Sequence, residues 1–145
     1  MPNNVLVPID GSPPSWAALE CAAEQFPDSR LTVLHVVDPV AGSYGGTEGA
    51  YYDVNAFDRA RERGETLCEQ ALERLEDEGY ESVTDVETAV ETGRPARTIV
   101  SYADEHDVDH VVIGSHGRSG VSRVLLGSVA EMVSRRVGVP VTIVR

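Results

Sequence analysis

Short apolar runs alternate with longer stretches of helical spacing along the whole of this chain, and that rhythm leaves few folds open. The runs occupy residues 4–9, 31–37, 83–90, 109–113 and 139–144. The second is apolar nearly throughout, as a strand covered on both faces requires. Repeated strand, helix, strand units without a break in composition predict a parallel sheet with right-handed crossovers. The expectation is an α/β fold, an open doubly wound sheet of five strands with four helices on both faces, in one domain spanning residues 1–145. In such sheets a ligand sits at the carboxyl ends of the strands where the strand order reverses.

The helices carry their own punctuation. Ser12 followed by Pro13 supplies an N-cap and a first-turn proline for a helix reaching Phe26, with Trp16, Leu19, Cys21 to Ala23 and Phe26 as its buried stripe. Phe57, Ala60, Gly64, Leu67, Ala71 and Leu75 recur at helical spacing over 56–78, and Gly79 ends that helix. Pro95 opens a third helix to residue 106, and a fourth covers 128–137. Residues 38–55 hold four glycines and three tyrosines with no helical period, and read as one long loop.

Charge and cysteine content narrow the function classes. Twenty-four acidic residues face 12 basic ones, a net charge of −12, and all 12 are arginine. Such a surface repels phosphate backbones, so nucleic acid is not an expected partner. An acidic chain without lysine is similar to proteins of organisms with molar-salt cytoplasms, where the Debye length shrinks to about 3 Å. Cys21 and Cys68 lie far apart, each in a helical stretch, and read as reduced thiols rather than a zinc or redox pair. The first ten residues lack a basic n-region and a cleavage site, and no segment approaches the length of a membrane span. The expected location is cytoplasmic, away from membranes.

The chemistry concentrates after the fourth run. Gly114-Ser115-His116-Gly117-Arg118-Ser119-Gly120, then residues 121–126, then Gly127-Ser128 lead from a strand into a helix. Glycines allow close backbone approach, and the N–H groups of Gly127, Ser128 and Val129 would leave a helix first turn unpaired, which describes a phosphate cradle. Ser128-Val129-Ala130-Glu131 also fits a capping box, in which the Ser128 hydroxyl only satisfies a helix N–H. Local chemistry leaves both roles for Ser128 open. Arg118 and Arg123 are candidates for phosphate contact or for plain solvation.

Other chemistries lack their residues. A P-loop needs Gly-Lys-[Ser/Thr], and the chain has no lysine; Asp10-Gly11-Ser12-Pro13-Pro14 stands where a dinucleotide fingerprint would. His106 and His110 straddle a helix end and a strand start, poorly placed to share a metal. His116 lacks a visible partner to hold it as a general base, and His35, inside a strand, reads as a packed core histidine.

Gly114-x2-Gly117-x9-Gly127-Ser128 resembles the nucleotide signature of the universal stress protein family. The likeness covers nearly the whole chain: Val5 to Ser12 is similar to the opening strand and turn, Leu34-His35-Val36-Val37 to the second strand, Gly93-Arg94-Pro95 to the approach to the third helix, and Val139 to Val144 to the closing strand. The resemblance implies an adenine nucleotide alpha hydrolase-like sheet of order 3-2-1-4-5 that binds ATP with Mg2+, or AMP or ADP. It implies that Asp10 lies near the ribose or a phosphate-bound cation, with Pro8 and Ile9 beside it. Val36 or Val37 would meet adenine through backbone groups, and Ile113 would flank the base. Gly114, Ser115, Gly117, Arg118, Gly127, Ser128 and Val129 would surround ribose and phosphates. It further implies a homodimer through the last strand and a stress-response binding module with no catalytic residues. A slow ATPase using Asp10 and His116, and a structural dimer without nucleotide, are the alternatives.

Overall fold

The computed structural model describes residues 2–39, 54–80, 85–116 and 126–145. Strands β1 (Asn4–Pro8), β2 (Arg30–Val37), β3 (Val86–Thr92), β4 (His110–Gly114) and β5 (Val141–Val144) form one parallel sheet of order β3-β2-β1-β4-β5. Helices α1 (Pro13–Gln25), α2 (Val54–Asp77), α3 (Pro95–Glu105) and α4 (Ser128–Arg136) connect or follow them. The order reverses at β1, the central strand, so the switch point lies between β1 and β4.

Alternation along β1 splits the core in two. Val5, Val7 and Ile9 join Trp16, Leu19, Val33, Ala71 and Leu75 on the face covered by α1 and α2. Leu6 joins Leu34, Ile99, Val111, Ile113 and Val133 on the face covered by α3 and α4. Each face is a closed apolar layer, and successive side chains of one strand serve opposite layers. Arg74 of α2 lies 4.4 Å over the Trp16 ring and ties the two helices of the first layer.

The helix starts follow the expected chemistry in part. Ser12 caps α1, its hydroxyl accepting from the Ser15 N–H at 3.4 Å, with prolines in the first turn. Cys21 and Phe26 are only half-buried, because the helix turns them toward the rim of the layer. Cys68 is buried beneath α2.

Boundaries moved where tertiary pairing outweighs local pattern. β3 runs to Thr92 rather than residue 90, since β2 offers pairing partners up to Val37 and an edge strand tolerates the polar Glu91 and Thr92. Residues 83 and 84 of the expected third strand lie outside the described residues. β5 begins at Val141, after Pro140, whose carbonyl still accepts from the Val111 N–H at 3.0 Å. The expected loop at 38–55 falls almost wholly outside the described residues, and α2 begins at Val54.

At the amino ends of the strands, the Asp109 carboxylate accepts from both the Asn3 and Asn4 N–H groups at 3.0 Å. His106 donates from Nδ1 to the Tyr102 carbonyl at 3.0 Å, while Nε2 of His110 shares a hydrogen bond with Thr142 Oγ1 at 2.7 Å. The two histidines thus serve different partners. No helix among the described residues is long and apolar enough to cross a membrane.

Candidate functional site

A cleft of about 570 Å³ opens at the carboxyl ends of β1, β2 and β4. That volume falls within the range of small-molecule sites. Its floor comes from strand ends: Pro8, Ile9 and Asp10 after β1, Leu34 to Val37 of β2, and Ile113 and Gly114 of β4. One wall is the start of α4, Gly127 to Ala130, with Pro95 and Ile99 of α3 beside it. The opposite wall is α2, through Ala60, Arg63 and Leu67.

Among the described residues, the backbone leaves unpaired groups at two points of this cleft. Rungs of a parallel ladder alternate between the two neighbouring strands. On β2, Leu31 and Val37 serve β3, through Leu31 N–H to Asp85 C=O and Gly93 N–H to Val37 C=O, both 2.9 Å. Arg30 and Leu34 serve β1, through Arg30 N–H to Asn3 C=O at 2.9 Å and Ile9 N–H to Leu34 C=O at 2.8 Å. The chain turns away after Ile9, so Val36 is aimed at a strand that has ended. Among the described residues neither its N–H nor its C=O has a partner. One donor and one acceptor, side by side, face the cleft.

The second point is the first turn of α4. Gly127 is its N-cap and uses its own N–H on the Ser115 carbonyl at 2.6 Å; the first intrahelical bond runs from Glu131 N–H to Gly127 C=O at 2.9 Å. Ser128, Val129 and Ala130 therefore present N–H groups with no partner among the described residues. Helix α1 also starts at the cleft, yet it has none to spare: Pro13 and Pro14 lack N–H, and Ser15 and Trp16 both donate to the Ser12 carbonyl, at 3.0 and 3.2 Å. The start of α4 has N–H groups that could serve an anion, and the start of α1 does not.

Asp10 enters the cleft on a tight turn. Its Oδ1 accepts from the Ser12 N–H at 2.9 Å, and Gly11 adopts φ +84, a backbone region that favours glycine. The second carboxylate oxygen remains for another partner.

Several expectations need correction. Ser128 is the first helical residue, not the cap, and Gly127 caps without a side chain; the Glu131 carboxylate pairs instead with Arg135 at 2.9 Å. The capping-box role of Ser128 is therefore absent, and its exposed side chain lines the cleft. Gly114 has a packing reason of its own beside the cleft: a Cβ there would meet the Pro14 backbone at 2.8 Å. Gly127 likewise faces its own chain, a Cβ lying 2.9 Å from His116 Cα. Ser115 is buried beside the cleft and does not line it; its N–H donates to the Val144 carbonyl at 2.7 Å. His35 is no core residue but part of the cleft lining, with Nδ1 2.9 Å from the Ile9 carbonyl.

Gly117, Arg118 and Arg123 lie outside the described residues. Of the remaining expected positions, Pro8, Ile9, Asp10, Val36, Val37, Ile113, Gly114, Gly127, Ser128 and Val129 all line the one cleft. Sequence reasoning missed Arg63, which shares a helix face with Ala60 and Leu67, because that spacing reads only as packing. A polar residue within the apolar run 31–37 was the available signal for His35. His116 also lines the cleft, its Nδ1 3.1 Å from Ser115 Oγ.

Comparison with known proteins bears on this geometry. A model described as the universal stress protein family matches residues 1–145. The universal stress protein YxiE of Bacillus subtilis is 33% identical to this chain over 150 residues, covering 99% of each. Among solved structures, the universal stress protein UspA of Lactobacillus plantarum matches with a TM-score of 0.82 at 25% identity, covering 99% of this chain and 97% of its own. A universal stress protein in complex with cAMP matches with a TM-score of 0.73 at 26% identity, covering 99% and 97% respectively. The 3-2-1-4-5 sheet is thus of the adenine nucleotide alpha hydrolase-like type.

Proposed function

Because this chain belongs to the universal stress protein family, we propose that its cleft binds an adenine nucleotide, ATP with Mg2+ first and AMP or ADP in the same place, and that binding rather than turnover is its task. One observation carries the reading: a single cleft joins the N–H and C=O of Val36 to the first N–H groups of α4, all without a partner among the described residues. Adenine offers an amino donor beside a ring-nitrogen acceptor, the complement of the Val36 pair. Phosphates suit the α4 start, whose donors and dipole favour negative charge.

The chain's own residues divide the work. Val36 reads the base edge, with Ile113 and Leu34 as apolar floor. Val37 is spared that role because its carbonyl already accepts from Gly93. Asp10 takes the ribose or a magnesium ion held by the phosphates, and the Ser128 hydroxyl adds a donor to the phosphate end. The cAMP complex of a protein 26% identical supports an adenine nucleotide as ligand class.

The same proposal extends to assembly and setting. β5 is a sheet edge with Ile143 exposed, and a second copy would pair there to form a homodimer. The acidic, lysine-free composition suits a protein working in a molar-salt cytoplasm, folded as one domain over its 145 residues.

Calorimetric titration with ATP and magnesium in molar KCl tests the core of this. Saturable binding of one nucleotide per chain is expected, lost in Ala60→Trp, which fills the cleft from α2 without touching strand backbone. A hundredfold excess of ligand over Kd should add about 2.7 kcal/mol of stability. No heat and no thermal shift for the parent protein would refute the proposal in favour of a dimer without nucleotide.

A further inference from the structure

We infer that His35 is a positioning residue: it holds the β1–β2 ladder open at Val36, so that this rung stays free to read a base. The inference rests on the nucleotide reading for its purpose, while its structural half stands on the hydrogen bonds alone.

The ladder between β1 and β2 advances two residues per rung. Arg30 donates to Asn3, and Ile9 donates to Leu34. Continuing the same register, the next bond runs from Val36 N–H to the Ile9 carbonyl. That bond is absent, and the Ile9 carbonyl instead meets His35 Nδ1 at 2.9 Å. A carbonyl only accepts, so Nδ1 carries the hydrogen, and this contact selects the tautomer. Odd positions of β2 project toward the layer under α2. His35 therefore draws the carbonyl out of the sheet plane on that side.

Helix α2 is shaped to admit the ring. A Cβ on Gly64 would lie 2.6 Å from His35 Cδ2 and 3.4 Å from Val90 Cγ1. Gly64 sits in the interior of a 24-residue helix, where glycine is less favourable than alanine. The space it leaves is the space the imidazole fills. The carbonyl so held belongs to the residue before Asp10, and the Asp10 turn follows directly from it.

Removing the donor while keeping the ring should let the Ile9 carbonyl return to Val36. His35→Phe does this; His35→Asn is the complementary change, because its amide N–H stands at the same distance from Cβ as Nδ1. Amide hydrogen exchange in the ligand-free protein reads the ladder without any nucleotide. Val36 should exchange freely in the parent, unlike Leu34, and gain at least about tenfold protection in His35→Phe, as a newly formed backbone bond requires. His35→Asn should leave it open.

Calorimetry on the same three proteins reads the purpose. The parent should prefer ATP to GTP, since guanine lacks the amino donor at that edge. His35→Phe should lose about tenfold in ATP affinity, one hydrogen bond's worth, and most of that preference, with His35→Asn restoring both. A Val36 amide as protected as that of Leu34 in the parent would overturn the inference, as would unchanged exchange in a folded His35→Phe. Should His35→Phe fail to fold, His35→Leu replaces it in the same exchange measurement, with the same gain in Val36 protection expected and unchanged exchange again overturning the inference. An open amide that closes in His35→Phe, in a protein that binds no nucleotide, would uphold the latch and defeat only the nucleotide reading.

Discussion

The Gly127 amide donates to the Ser115 carbonyl at 2.6 Å, pinning the start of α4 to the end of β4. Side-chain atoms have no room at this junction, where a Cβ would stand 3.0 Å from that same carbonyl oxygen. Gly127→Val should therefore cost about 1–3 kcal/mol of stability as well as nucleotide binding. Gly114→Ala should be destabilising too, against the Pro14 backbone, whereas Gly138→Ala meets nothing within 4 Å and should be silent. Melting temperatures of the three variants decide this, and equal shifts would contradict it.

Burial holds the His110 imidazole below the usual histidine value of about 6.5. The unfolded chain takes the proton more readily, so stability is fully present above about pH 6.5 and declines as pH falls from there toward the lowered native value. Phe26 packs at 4.8 Å on one side and Thr142 bonds on the other, and neither offers a charge to offset protonation. Urea midpoints at pH 7.5 and 5 should converge less in the parent than in His110→Gln, whose curve lacks this contribution. Identical pH dependence in both proteins would contradict the assignment.

Asp10→Asn retains an oxygen to accept from Ser12 and removes the charge. Affinity for ATP with magnesium should fall about tenfold, while affinity for ATP in a chelator should hold or rise as one repulsion disappears. Calorimetry with and without magnesium makes the comparison. Equal loss in both conditions would point to a collapsed turn rather than a cation ligand.

Molar salt should stabilise the fold. With a net charge of −12 the native state carries strong self-repulsion, and raising KCl from 0.1 M to 1 M cuts the Debye length from about 10 Å to about 3 Å. The melting temperature should climb across that range. A flat or falling curve would remove the salt-adaptation reading.

Ile143 is the exposed apolar residue of β5. Ile143→Arg should convert a dimer into a monomer by light scattering while leaving the monomer folded, because the side chain lies on the surface. A protein that is monomeric before the change would refute pairing through this edge.

The succession of strands and helices was legible because the apolar rhythm reports burial on both faces of a parallel sheet, whereas the strand order came only from the family resemblance. Ser12 and Pro13 announced α1 for equally local reasons. The cleft was legible where a segment carries its chemistry in adjacent residues, as Gly127 to Val129 do. Sequence reasoning failed where the decisive neighbour is distant. Nothing local tells that Pro14 presses on Gly114, that Ser128 yields the cap to Gly127, or that Gly64 makes room for His35. Arg63 escaped notice for the same reason, since a helix period does not say what lies beyond the buried stripe.

The division of the core into two apolar layers, meeting only at the sheet, has a mechanical side. Each layer has its own helices, and the walls of the cleft are drawn from both, α2 from one and α3 with α4 from the other. A molecule seated there acts as a rivet through two plates. Its arrival should stiffen helices on opposite faces of the sheet, and its departure should let the plates breathe separately, so that occupancy of one small cleft is broadcast to opposite surfaces of the protein.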